Sequence, residues 1–178
     1  MKRSAIILIV ILAILLVIPV YSFLKWSFQP KKPLNLLVID KTVPDLEKLE
    51  HRSFFWTLVH NRFVKKENNR GYQFRKDYFG FMPQKPLRNK MYDISRVRLS
   101  EIINLADQND GIYVTDTYGV YFNDWYQGIN RSRRSRMIYG GLNNSDYLLI
   151  KEMNDRKKLV IAEYNILGSP TPPLERNK

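Results

Sequence analysis

The pattern of apolar and polar positions divides this chain into an apolar N-terminal segment and a mixed remainder. A stretch without a single charge runs from Ala5 to Leu24, behind the basic residues Lys2 and Arg3. A helix needs about 20 mainly apolar residues to cross the hydrocarbon core of a bilayer. The pattern therefore predicts a membrane anchor within residues 1–28, in contact with lipid from Ala5 to Leu24.

A cleaved signal peptide is the competing interpretation, since it has the same basic start and a shorter apolar region. Signal peptidase sites carry a closely spaced pair of small residues, and the segment from Val20 to Lys25 holds no such pair. Tyr21 and Trp26 are also residue types that suit a membrane interface. We therefore expect the anchor to stay uncleaved.

The charges that flank the anchor bear on its orientation. Lys2 and Arg3 favour an inside N-terminus, but Lys25, Lys31 and Lys32 follow on the other side. The positive-inside rule counts both flanks. We expect a single-pass membrane protein with an extracytoplasmic body.

Beyond a short linker at residues 29–33, the pattern becomes that of one α/β domain at residues 34–178. Strands are predicted at 34–39, 78–82, 112–115, 137–139 and 159–162, and helices at about 45–63, 99–106 and 143–156. Alternation of strands and helices implies parallel pairing through right-handed crossovers. The predicted fold class is α/β, a transmembrane helix followed by a partial doubly wound, flavodoxin-like parallel sheet.

The end of the chain resembles the opening of a further helix. Residues 169–175 place a hydroxyl residue before proline and an acid in the first turn, and the chain stops at Lys178. A doubly wound sheet normally has roughly five or more strands. We expect a domain truncated at its C-terminus, and a natural tail is the alternative.

Three predicted strands each run into an acidic residue: Asp40, Asp116 and Glu163. In a parallel sheet these acids would meet at the carboxyl edge, where ligands of open α/β folds bind. Clustered carboxylates can act as general acid and base or ligate a hard cation. The alternative is that they cap helices or face water. Asp40 is the foremost catalytic candidate because Lys41 and Thr42 add a cation and a hydroxyl.

Two glycines and a run of arginines are candidate anion-binding groups. Gly140 and Gly141 precede a predicted helix and could present N–H groups to an anion, although a tight turn is the simpler interpretation. Arg133, Arg134 and Arg136 could pair with phosphate oxygens, with a solvated loop as the alternative.

Aromatic residues cluster after Asp116. Tyr118, Tyr121 and Trp125 could form a platform for sugar rings beside the acidic edge. Packing on the domain's own surface is the alternative for such a loop.

The predicted helix at about 45–63 has one apolar face, which would pack on the core and is formed by Leu46, Leu49, Trp56, Val59 and Phe63. The helix also carries both histidines, which fall on opposite faces and form no predicted site.

Charge and composition narrow the partners. Lys and Arg number 29 against 17 Asp and Glu, which gives a net charge of +12 and favours anionic lipid or an anionic envelope polymer. Nucleic acid is unlikely because no zinc-knuckle spacing or RNP motif occurs. The chain has no cysteine, which excludes disulfides and thiolate metal sites. The loop after residue 40 has no glycine, which excludes a dinucleotide fingerprint, a P-loop and a flavin phosphate loop of the usual kind. No cofactor is predicted, and no metal site is assigned.

Six segments together resemble a family of bacterial membrane-anchored proteins that has no assigned activity. The segments are residues 40–44, 50–56, 77–81, 115–119, 138–142 and 163–167. The resemblance implies a place in the bacterial inner membrane, and members of the family continue beyond the point where this chain stops. The layout is more distantly similar to class I glutamine-amidotransferase-like domains, whose catalytic cysteine has no counterpart here.

The function predicted first is a non-catalytic, membrane-tethered module that binds a ligand or a protein partner in the cell envelope. The second hypothesis is a hydrolase of an envelope glycan that uses Asp40, Asp116 and Glu163. Retaining glycosidases hold two carboxyls roughly 5–5.5 Å apart and inverting ones roughly 6.5–9.5 Å. The third is a fragment without independent function.

Overall fold

The apolar N-terminal segment forms a long helix in the computed structural model, which describes residues 3–42, 44–128, 135–168 and 170–176. Helix α1 covers Arg3–Ser27, and its part Ala5–Ser27 is long and apolar enough to cross a membrane. Its 23 residues span about 34 Å at the usual helical rise, close to the thickness of a bilayer core. A signal sequence would share this length and composition.

The remaining elements alternate between short strands and helices. The strands are β1 (Lys32–Pro33), β2 (Leu36–Asp40), β3 (Phe63–Val64), β4 (Phe79–Pro83), β5 (Tyr92–Ile94), β6 (Gly111–Val114), β7 (Val120–Tyr121), β8 (Met137–Tyr139) and β9 (Leu159–Ala162). The helices are α2 (Leu49–His60), α3 (Ile102–Gln108), α4 (Phe122–Tyr126), α5 (Asn144–Asp155) and α6 (Pro173–Arg176), with 3₁₀ turns at Leu87–Asn89, Leu99–Glu101 and Tyr164–Leu167.

A five-stranded mixed sheet forms the centre of the domain, in the order β5-β4-β2-β6-β9. Strand β2 pairs in parallel with β4 and β6, and β6 pairs in parallel with β9. Strand β5 is antiparallel to β4, where the sequence predicted a wholly parallel sheet. Residues 84–91 connect these two strands, and a parallel crossover needs about a dozen residues or more. The fold is therefore mixed α/β.

Helices cover both faces of this sheet. Alternate residues of β2 point to opposite faces and therefore belong to two different cores. Leu37 and Ile39 belong to a core that includes the buried side chains of α3 and α5. Leu36 and Val38 belong to a second core with the α2 residues Phe55 and Leu58. Strand β9 ends the sheet, and its Leu159 is 54% exposed.

The buried face of α2 differs from the face that the sequence predicted. Leu49 and Trp56, expected on the core side, are each 64% exposed. The helix instead buries His51, Phe55 and Leu58, which follow one another at helical spacing. Apolar residues occur on more than one side of this helix, so the spacing of apolar residues alone predicted the wrong side as the buried one.

Strand β1 lies within the segment that was predicted to be a linker. It pairs in parallel with β3, with the Lys32 N–H donating to the Arg62 carbonyl at 2.9 Å. The Leu34 N–H then donates to the Val64 carbonyl at 2.8 Å. Backbone hydrogen bonds therefore connect the segment after α1 to the domain.

Tyr72 takes the place of a neighbouring strand beside the start of β2. Its hydroxyl accepts from the Leu36 N–H at 2.8 Å and donates to the Leu34 carbonyl, and its side chain is buried. We expect Tyr72→Phe to lower the free energy of unfolding by about 1–3 kcal/mol, because two buried backbone groups lose their partner. Urea unfolding monitored by circular dichroism measures this change. Tyr164→Phe, at a 93% exposed residue, should leave the midpoint unchanged; an equal effect of both substitutions would contradict this role of Tyr72.

Candidate functional site at the carboxyl edge of the sheet

Buried polar side chains concentrate where β2 and β6 end and where α2 and α5 begin. Among the described residues these side chains are Asp40, Lys41, Lys48, His51, Thr115, Thr117, Asp146 and Thr171. Burying charged groups is costly unless they are paired and hydrogen-bonded. Their contacts therefore decide whether this edge holds a reactive site or a structural cluster.

Asp40 pairs with His51 across the interior of the domain. Its Oδ2 lies 2.5 Å from His51 Nδ1, and its Oδ1 accepts from the Thr42 N–H at 3.0 Å. His51 Nε2 lies 2.7 Å from the Phe74 carbonyl, which can only accept. Both ring nitrogens of His51 therefore face oxygen atoms of the domain. Both oxygens of the foremost catalytic candidate are already bonded.

Lys48 brings a lysine ammonium close to this pair. Its side chain is only 2% exposed, and its Nζ donates to the Phe81 carbonyl at 2.8 Å and lies 5.0 Å from the centre of the Tyr78 ring. Burial lowers the pKa of Lys48 to about 8, against the opposing attraction of Asp40.

Lys41 forms a buried ion pair with Asp146, 105 residues later in the chain. The ammonium also donates to the Gly141 carbonyl at 2.9 Å and lies 5.0 Å from the centre of the Tyr139 ring. Burial lowers the pKa of Lys41, and Asp146 acts in the opposite direction. Lys41 therefore has a structural role, since its buried ammonium connects the end of β2 to the start of α5.

The start of α5 is held by the chain's own carboxylate. Asn143 caps the helix by accepting from the Asp146 N–H at 3.0 Å, and Asp146 accepts from the Asn143 N–H at 2.9 Å. The Gly141 N–H donates to the Thr117 carbonyl at 2.8 Å. Gly140 packs so closely on Gly119 that a Cβ added to Gly140 would lie 2.4 Å from the Cα of Gly119. These contacts describe a tight turn, and anion binding at Gly140 and Gly141 stays a prediction.

The other two acids bond to separate partners. Asp116 accepts from the Tyr118 N–H at 2.8 Å and from Asn165 Nδ2 at 3.3 Å. Glu163 accepts from the Tyr113 hydroxyl at 2.5 Å, and burial together with Glu163 raises the pKa of that tyrosine. Catalysis by the three carboxylates stays a prediction.

The predicted aromatic platform divides between core and surface. Trp125 is 4% exposed, packs edge-on against Phe81 and donates from Nε1 to the Lys90 carbonyl at 3.0 Å. Tyr118 is 55% exposed and lies 5.4 Å from the ring of the half-buried Tyr121. A ligand at this loop would therefore meet the two tyrosines.

The arginine run is described only in part. Arg133 and Arg134 lie outside the described residues. Arg136 is exposed, and its carbonyl accepts from the Phe122 N–H at 2.9 Å.

His51, Lys48 and Asp146 are the residues of this edge that the sequence did not single out. A pattern for Asp146 does exist, because an acid three residues after a capping asparagine is a capping box. No local pattern joins His51 to Asp40, since a helix and a strand bring them together. Their pairing needed the tertiary structure.

Comparisons with protein families, with curated proteins and with solved structures found no match for this chain. Within the described ranges, no group of three or more His, Asp or Glu side chains is arranged to hold a metal ion. The function is therefore inferred from the chain's own residues.

Proposed function

We propose that this chain is a non-catalytic, membrane-tethered binding module of the bacterial cell envelope. In this proposal α1 anchors it in the inner membrane, and the domain lies on the extracytoplasmic side, where it binds a ligand or a protein partner. The observation that carries the tether is the apolar helix Ala5–Ser27, which is long enough to cross a membrane.

The last turn of α1 bonds directly to the domain. Trp26 Nε1 donates to the His60 carbonyl at 2.7 Å, and Arg62 Nη2 donates to the Ser27 carbonyl at 3.2 Å. The guanidinium of Arg62 also lies 4.8 Å from the centre of the Trp26 ring. These contacts hold the last turn of α1 against the domain, which supports a short, ordered connection between the helix and the domain.

The bonding of the acids supports binding over catalysis. Asp40 is 2% exposed and paired with His51, while Asp116 and Glu163 accept from neighbours within the domain. A sugar could reach Asp40 only if the surrounding side chains moved, because this carboxylate is enclosed by the domain. The hydrolase therefore ranks second, and a fragment without independent function ranks third.

Kinship with the family of membrane-anchored proteins, and a doubly wound, flavodoxin-like ancestry of the sheet, are part of the same proposal. Helices on both faces of the sheet and parallel pairing of β4, β2, β6 and β9 support that ancestry. The antiparallel β5 would then be an addition at one edge.

We expect the full-length chain to stay in the membrane fraction after an alkaline carbonate wash, with its N-terminus upstream of Ala5. Immunoblotting of pellet and supernatant, with mass determination of the mature chain, measures both. Leu12→Lys combined with Leu16→Lys should shift the chain to the supernatant, because each central lysine opposes insertion by roughly 3 kcal/mol. A mature chain that begins after Leu24, or wild-type protein in the supernatant, would refute the tether.

A further inference from the structure

A cavity of about 420 Å³ lies where the anchor meets the domain. Its lining comes from the end of α1, from the segment that follows it, from the end of α2 and from the chain around β3. The lining includes Trp26, Lys31, Arg62, Phe63, Asn69 and Arg70. None of the structural pairs at the carboxyl edge takes part in it, so this is a separate site.

Arg62 presents an unused donor within this part of the chain. Its Nε is buried and, among the described residues, has no hydrogen-bond partner. Nη2 bonds to the Ser27 carbonyl, and the plane of the guanidinium lies against Trp26. Arg62 thus lines the cavity with a permanently charged guanidinium that is held in place and has one N–H unpaired by the residues that the structure describes, and such groups pair well with anions.

The other charged side chains that line the cavity are also basic. Lys31 and Arg70 add two cations, and Lys31 Nζ donates to the Asn69 carbonyl at 3.2 Å. No aspartate or glutamate is among the described residues that line the cavity. Val59, Phe63 and Trp26 supply apolar surface beside the cations. The cavity therefore suits a ligand with an anionic group and an apolar portion.

Its position along the chain indicates which ligand this is. Trp26 is the next-to-last residue of the apolar helix Ala5–Ser27, and tryptophan in such a place sits at the level of the lipid headgroups. Phosphates of the bilayer surface lie at that depth, and guanidinium binds phosphate through paired N–H groups.

We propose that this cavity binds the phosphate of an anionic phospholipid, with Arg62 as the principal donor and with Lys31 and Arg70 as supporting cations. The inference rests on the proposed membrane tether and adds a specific lipid site to it. The apolar walls would contact the glycerol and upper acyl region. A zwitterionic lipid should bind less well because its own cation offsets the phosphate.

The test uses the full-length chain in nanodiscs of phosphatidylcholine with a minor fraction of phosphatidylglycerol. After gentle extraction into detergent, native mass spectrometry counts the lipids that each protein retains. We expect enrichment of phosphatidylglycerol over phosphatidylcholine, and a roughly tenfold lower enrichment for Arg62→Gln, because a charge-assisted hydrogen bond is lost.

A second variant keeps the test valid if Arg62→Gln loosens the contact with α1. Lys31→Gln combined with Arg70→Gln removes the supporting cations and leaves the Arg62–Ser27 bond in place, and it should also lower the enrichment several-fold. Arg88→Gln is the matched control, since this exposed arginine does not line the cavity. Its enrichment should equal that of the wild type.

Equal retention of the two lipids, or the same loss in Arg88→Gln as in the cavity variants, would overturn the lipid site. Displacement of the lipid by millimolar inorganic phosphate would overturn the assignment to a lipid, because the cavity would then recognise phosphate alone. A chain that inserts into nanodiscs yet shows no lipid preference refutes only this inference. A chain that fails to insert refutes the tether itself.

Discussion

Asp146→Asn should lower the free energy of unfolding by about 3 kcal/mol or more, because it leaves the ammonium of Lys41 buried without its counter-charge. The two side chains are 1% and 2% exposed, so water cannot replace the missing partner. Asparagine keeps the shape of aspartate and an oxygen for the Asn143 N–H, so the helix cap survives. Urea unfolding of the full-length chain in detergent, monitored by far-ultraviolet circular dichroism, measures the change.

Two further variants show whether the loss comes from the buried charge. Adding Lys41→Met to Asp146→Asn should recover most of the stability, since an apolar side chain then fills the same space. Asp155→Asn is the control, because its partner Lys151 lies on the solvent-exposed side of the same helix. That substitution should produce no measurable shift. A loss in Asp146→Asn that Lys41→Met does not recover would assign the effect to the helix cap.

The domain should become more stable as the pH rises from 8 towards 10, although lysine side chains lose their charge over this range. The pKa of Lys48 is about 8 in the folded domain against 10.5 as its ordinary value. Between these values the unfolded chain binds more protons than the folded one, so the free energy of unfolding increases with pH. The gain from Lys48 is about 2 kcal/mol over this interval. Lys41, whose pKa is also lowered, adds to it.

Above pH 10 the trend should reverse. Burial raises the pKa of Tyr78, Tyr113 and Tyr139 above their ordinary value of 10. The folded chain then holds protons that the unfolded chain releases, so stability is lost as the pH rises further. Urea midpoints at a series of pH values locate the maximum. Lys48→Met should flatten the rise between pH 8 and 10, and an unchanged slope in that variant would exclude Lys48 as its source.

The sequence predicted those elements that have a strong local pattern. The strands at β2, β6 and β9 were predicted because continuous apolar runs of strand length end at turn residues. The start of α5 was predicted because Asn143 is a capping residue. Strands β1, β3 and β7 have only two residues each and carry no periodicity to detect.

The candidate site was predicted less well because its contacts join distant parts of the chain. Three acids at strand ends were identified, and the structure places Asp40 at the end of β2 as expected. Its partner His51 was set aside because the two histidines of α2 do not face each other. The pairing of Lys41 with Asp146 depends on how α5 packs against the sheet, which no local pattern encodes. Arg62 carried no motif at all.

The bonded connection between Trp26, Ser27 and the body has a mechanical consequence. A flexible linker would let the domain reorient freely. A helix that is bonded to the domain at its last turn transmits its tilt to the domain. Spanning helices respond to a thinner bilayer by leaning over. With these contacts in place, a change in the tilt of a membrane-spanning α1 would rotate the domain relative to the membrane plane. In the proposed tethered arrangement, bilayer thickness would thus influence how the domain is oriented on the membrane.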